Sequence, residues 1–186
     1  MKPALLLVDL QQDYFPNGRM ECVGAVEAAQ AARELLDHFR KQNLPIVHIQ
    51  HIAARPNATF LLPNTEGINF FEGVKPLPGE RVIKKHFPNS FRDTDLAEYL
   101  RSHDIKELVI CGMMSHMCID TTVRAAFDLG YTCLVAHDAC ATRNMAFNGT
   151  DIPAAQVHGS YMAALGAVFA KVSNAHSMIA MLGNAE

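Results

Sequence analysis

The sequence predicts an α/β protein: an α/β/α sandwich of three layers around a doubly wound, six-stranded, mostly parallel sheet in the order 3-2-1-4-5-6. Strand-like runs alternate with helical patterns along the chain. The first and fourth runs, "PALLLVD" (3–9) and "ELVICGM" (107–113), are continuously apolar, as strands buried on both faces must be. Parallel strands joined by right-handed crossovers leave few other arrangements.

Each element has its own signal. After the strand at 3–9, "VGAVEAAQAARELLDHFRKQ" (23–42) carries an apolar helical stripe through Val26, Ala29, Leu35, Leu36 and Phe39. "PIVHIQHI" (45–52) is the second strand. Residues 53–80 hold four prolines and three glycines without a clean period, and a loop of that length is usually functional. "RVIKK" (81–85) is the third strand, and Asp93 or Thr94 caps a helix over 93–102. The fourth strand leads into a helix over 118–130 that stops at Gly130. A strand at 131–138, a loop at 139–150, a helix at 152–166, a strand at 167–172 and a helix from a Ser173 cap to about 182 complete one domain over 1–186.

Bulk properties exclude several functions. Sixteen Lys and Arg against 19 Asp and Glu give a net charge of −3, with no basic footprint for nucleic acid or a membrane surface. "MKPALLLVDLQQDYF" turns polar too early for a signal peptide. Five cysteines, an odd number without CxxC spacing, indicate a reduced, cytoplasmic chain. "DLQQDYFPNG" after the first strand lacks the glycine-rich phosphate turn of a dinucleotide binder, and a thiol redox role lacks a close resolving cysteine.

In a doubly wound sheet, ligands bind beyond the carboxyl ends of the strands, where strand order reverses. Asp9 ends strand one, Cys118 lies just past strand four at the first turn of a helix, and Lys85 ends strand three. These positions converge on one rim. A thiol needs help to attack a carbonyl: a helix N-terminus and an ammonium stabilise the thiolate, while a carboxylate exchanges the proton. Backbone N–H groups around "MMSHMC" suit an oxyanion hole. Taken singly, Cys118 also reads as a small core filler, Asp9 as a cap and Lys85 as a solvated charge.

"LLLVDLQQDYF", "VIKKHFPNSFRDTDL" and "LVICGMMSHMCIDTTVRAAFDLGY" resemble the three signature segments of the isochorismatase-like cysteine hydrolases, and "VAHDACAT" and "VFAKVSNAHSMI" extend the resemblance through nearly the whole chain. The family includes nicotinamidases, N-carbamoylsarcosine and ureidoacrylate amidohydrolases, streptothricin hydrolase and isochorismatases proper. The resemblance implies an Asp9–Lys85–Cys118 triad, with Lys85 rather than Lys84 selected by its spacing to "NSF". It also implies a cis peptide at Met113–Met114, oxyanion donors at the N–H groups of Met114 and Cys118, and Gln11 as a pocket residue beside Tyr14, where Phe is common. His51, Phe60, Phe70, His116 and Arg143 complete the candidate pocket, and His48 reads as a satisfied core residue.

No cofactor is expected. The Asp-x-His metal motif of nicotinamidases is missing from "HIQHIAARPNATF", and His48 and His51, three apart on a strand, face opposite ways. The reading is therefore a hydrolase of a small amide through a Cys118 thioester, in a dimer or larger homo-oligomer as is usual for the family. A vinyl-ether hydrolase of the isochorismatase type and a non-catalytic binding protein are the alternatives; retention of Cys118 favours C–N hydrolysis.

Overall fold

The computed structural model describes residues 2–183. Strands β1 (Pro3–Val8), β2 (Ile46–His51), β3 (Arg81–Lys85), β4 (Glu107–Met113), β5 (Thr132–Ala141) and β8 (Lys171–Ser173) form one sheet in the order β3-β2-β1-β4-β5-β8, every pairing parallel. Helices α1 (Ala25–Lys41), α2 (Leu96–Ser102), α3 (Asp120–Asp128), α4 (Ala154–Val168) and α5 (Ala175–Gly183) supply the connections and outer layers. The pairs α1–α5 and α3–α4 each pack together. The six residues of β1 are all buried, which is why this strand shows no polar alternation.

Gly112 sets the geometry at the centre of the sheet. Its φ is +126°, and a Cβ there would lie 1.9 Å from the Val8 carbonyl oxygen. The register between β4 and β5 shifts between Ile110 and Gly112. Only glycine permits this close approach, one residue before Asp9 on the neighbouring strand.

Several boundaries differ from the sequence expectation. The sixth strand is three residues long, because α4 continues to Val168 and the N–H groups of Phe169 and Ala170 still donate to Leu165 C=O. Asn174, not Ser173, caps α5: its Oδ1 accepts from Ser177 N–H at 2.7 Å. Residues 139–141 belong to β5, and an unanticipated hairpin of β6 (Met145–Phe147) and β7 (Thr150–Ile152) follows. The helix expected from 118 begins as a π-helical turn over Ser115–Ile119.

The 53–80 segment is tied back rather than loose. Phe71 N–H donates to Leu10 C=O and Gln12 N–H to Asn69 C=O, while Phe71 stacks on Phe15 at 3.8 Å between ring centroids. Ala53 N–H to Leu61 C=O closes residues 53–61 into a small loop. The buried Asp13 carboxylate accepts from Leu61 N–H and Arg19 N–H, and a Cβ on Gly67 would fall 2.2 Å from it.

Candidate active site

Three elements deliver the reactive side chains to the carboxyl edge of the sheet. Asp9 follows β1 in a left-handed conformation (φ +54°) and is fully buried. Lys85 ends β3 and is also fully buried, whereas its neighbour Lys84 is exposed, as the pleat requires. Lys85 Nζ lies 2.8 Å from Asp9 Oδ2 and donates to Pro88 C=O at 3.0 Å. The ammonium meets Oδ2 as an ion pair without the alignment of a hydrogen bond, and Oδ1 is buried with no donor among the described residues.

Cys118 arrives from β4. The Met113–Met114 peptide bond is cis, and the N–H groups of Met117 and Ile119 both donate to Met114 C=O, curling the backbone around that carbonyl. This turn carries Cys118 to within 3.8 Å of His51 Nδ1. The same nitrogen lies 3.6 Å from Asp9 Oδ2. The structure thus brings together four groups, adding an imidazole to the three expected ones. Asp9, His51 and Cys118 offer donor atoms within 4.8 Å of one another, a set also able to hold a metal ion.

The electrostatics set the protonation states. Burial works to raise the Asp9 carboxyl, but the Lys85 ammonium, aided by His51, holds it below the usual carboxylate range. Burial works to lower Lys85, and Asp9 and Cys118 reverse this and raise it. The Cys118 thiol is pushed up by burial first and by Asp9 next, with Lys85 opposing. These directions favour a carboxylate, an ammonium and a neutral thiol at rest. Cys118 is only 3% exposed, and desolvation outweighs the pull of its cation, so a carboxylate beside it is needed to take the proton.

The pocket candidates divide. Phe60 and His51 line a cavity of about 310 Å³ together with residues 53–59, Leu61 and His86. Tyr14 is buried against Phe60, and burial first, then the negative charge on Cys118 and Asp9, raises its hydroxyl well above the ordinary phenol range. Gln11 offers no free amide: its Nε2 donates to His51 C=O and Ile68 C=O, and its Oε1 accepts from His51 N–H, so it fixes the backbone of the site instead of lining it. Phe70 points elsewhere, packing edge-on against His48 at 5.7 Å and lining a separate groove with Gln50 and Lys75. His116 is engaged with Thr142 Oγ1 at 2.6 Å, and exposed Arg143 reaches Met20 Sδ at 3.2 Å; neither lines the cavity. His48 is buried and bonded to Glu80 at 2.8 Å.

Arg55, Thr59 and His86 were missed as cavity residues. His86 directly follows Lys85 at a strand end, a signal available in the sequence. Arg55 and Thr59 were not accessible that way, because the Ala53–Leu61 closure brings them into the cavity that His51 lines.

The isochorismatase domain family matches residues 3–172. The chain belongs to the isochorismatase family. Its relatives include the isochorismatase family protein YddQ of Bacillus subtilis, 50% identical over 179 residues, which span 96% of this chain and 99% of YddQ. Streptothricin hydrolase of Streptomyces noursei is 36% identical over 152 residues, 82% of this chain and 51% of that protein. The crystal structure of an isochorismatase from Pseudomonas putida superposes with a TM-score of 0.89 at 39% identity, covering 94% of this chain and 89% of the other. More distant relatives include a maleamate amidohydrolase of Pseudomonas putida and nicotinamidase 3 of Arabidopsis thaliana, 27% and 28% identical. The family assignment makes this chain an isochorismatase-family hydrolase.

Proposed function

We propose that the protein is a cysteine amidohydrolase acting on a small C–N substrate through a Cys118 thioester. The observation that carries this is the fully buried Asp9–Lys85 ion pair beside Cys118 on the sheet rim. A buried ion pair is a weak source of stability, so its presence at a ligand-binding edge is better explained by chemistry. The relatives named as streptothricin hydrolase, maleamate amidohydrolase and nicotinamidase support the C–N reading.

With a neutral thiol at rest, attack and deprotonation occur together. Cys118 Sγ adds to the substrate carbonyl as its proton passes to Asp9, and the N–H groups of Met114 and Cys118 receive the developing oxyanion. Lys85 stays protonated and holds Asp9 in position. Asp9 then protonates the departing amine. A water attacks the thioester while Asp9 again serves as base, and thiol and acid product are released. The substrate enters through the cavity walled by His51, Phe60 and His86, whose volume of about 310 Å³ restricts it to a small molecule.

Cavity charge narrows the choice. Its lining contains Arg55 and two histidines but no acidic residue, which favours a neutral or carboxylate-bearing amide over a cationic one. A panel of small amides read by ammonia release, with intact-mass trapping of an acyl adduct on Cys118, tests the proposal. Turnover retained in Cys118→Ala rules it out.

A further inference from the structure

We propose that Cys118, His51 and Asp9 also form a binding site for a soft divalent cation, Zn²⁺ or Cd²⁺, that holds the thiol in an unreactive state. His51 Nδ1 lies 3.8 Å from Cys118 Sγ and 3.6 Å from Asp9 Oδ2. Tetrahedral zinc with bonds of about 2.3 Å to sulfur and about 2.1 Å to nitrogen or oxygen places its ligand atoms roughly 3.4–3.6 Å apart. Both histidine edges therefore need only a few tenths of an ångström of adjustment. The third edge is bounded by the 4.8 Å within which all three donor atoms fall.

The chemistry of the set suits such an ion. Thiolate, imidazole and carboxylate together select zinc-like cations over magnesium or calcium. Asp9 is fully buried, and its Oδ1 has no hydrogen-bond donor among the described residues, so lone pairs remain for a ligand. His51 lines the cavity, giving an ion a route inward and leaving the fourth position to water. On binding, the S–H bond breaks, a Zn–S bond forms and the proton leaves to solvent. Lys85 Nζ, 2.8 Å from Oδ2, opposes a second cation and weakens the site. The inactive state rests on the reading of Cys118 as nucleophile; the cation binding does not.

Calorimetric titration of the metal-free protein with ZnCl₂, in two buffers of different ionisation enthalpy, tests this. One ion per chain is expected, with about one proton released. Cys118→Ser and His51→Ala should each weaken binding by about 100-fold or more. Cys22→Ser should leave it unchanged. Cd²⁺ should give a sulfur-to-metal charge-transfer band that Cys118→Ser abolishes. No binding, binding that survives Cys118→Ser, or affinity indifferent to His51→Ala overturns the site. Turnover that needs Cys118, without zinc binding, refutes this inference and leaves the amidohydrolase reading intact. Zinc bound through Cys118 and His51 with turnover unaffected leaves the cation site standing and overturns both its inactivating role and the reading of Cys118 as nucleophile.

Discussion

Replacing Lys85 by Met isolates the buried ion pair. At 2.8 Å and an effective dielectric constant near 20, the Asp9–Lys85 attraction amounts to about 6 kcal/mol before desolvation is subtracted. Both side chains are fully buried, so the variant leaves an uncompensated carboxylate, a change that typically costs about 3–5 kcal/mol. That is a large share of a total stability of roughly 5–15 kcal/mol. The carboxylate escapes part of the cost by taking a proton, since burial then dominates its titration. In the variant the folded state binds more protons than the unfolded state above the unfolded carboxyl pKa, so stability should rise as pH falls. In the wild type Asp9 is held low, so its contribution is present above that pKa and lost as pH drops through the folded value. Urea unfolding at pH 7 and pH 5 should show the wild-type–variant gap narrowing at the lower pH. Amide turnover should fall by about 10²–10⁴-fold, because a protonated Asp9 cannot accept the thiol proton. Exposed Lys84→Met should change stability by less than about 0.5 kcal/mol and leave turnover near wild type. A neutral Lys85→Met, or a damaging Lys84→Met, would refute the assignment.

Gly112→Ala places a Cβ 1.9 Å from the Val8 carbonyl oxygen at φ +126°, so overpacking and backbone strain together should cost about 3 kcal/mol or more in urea unfolding; an unchanged midpoint contradicts the packing described. The Glu80 carboxyl is pushed up by burial but brought down to about 2 by Arg40, the Leu77 N–H and His48. Its contribution should be complete above the ordinary carboxyl range and lost as pH falls towards 2, and Glu80→Gln should flatten that acid limb of the stability curve. Arg55→Ala should raise KM for a carboxylate-bearing amide about tenfold while sparing a neutral one; equal effects on both substrates exclude charge selection by the cavity. Val23, Phe147 and Val168 are each more than 60% exposed, and light scattering should find a dimer or larger assembly, which a monomeric mass at micromolar concentration contradicts.

Much was legible in the residues alone. Continuous apolar runs identified β1 and β4, and the alternation of strands and helices determined the parallel order, because each is a property of local composition and chain direction. The pleat likewise put Lys84 and Lys85 on opposite faces, and the family resemblance of the spacing to "NSF" selected Lys85. Asp9, Lys85 and Cys118 reached one rim for the same reason: strand ends in a parallel sheet share an edge. Other features depended on contacts between distant segments. Gln11 reads as a pocket amide until the His51 and Ile68 backbones, 40 and 57 residues away, occupy it. The sixth strand shortened because the α4 ladder outcompeted the apolar run at 167–172. His51 looked like one cavity histidine among nine; only the β1–β2 register brings its Nδ1 between the thiol and the carboxylate. The upward shift of the thiol arose in the same way. A helix start and a nearby lysine argue for a thiolate, but desolvation scales with everything packed around the sulfur, and that is a property of the folded molecule rather than of any segment of its sequence.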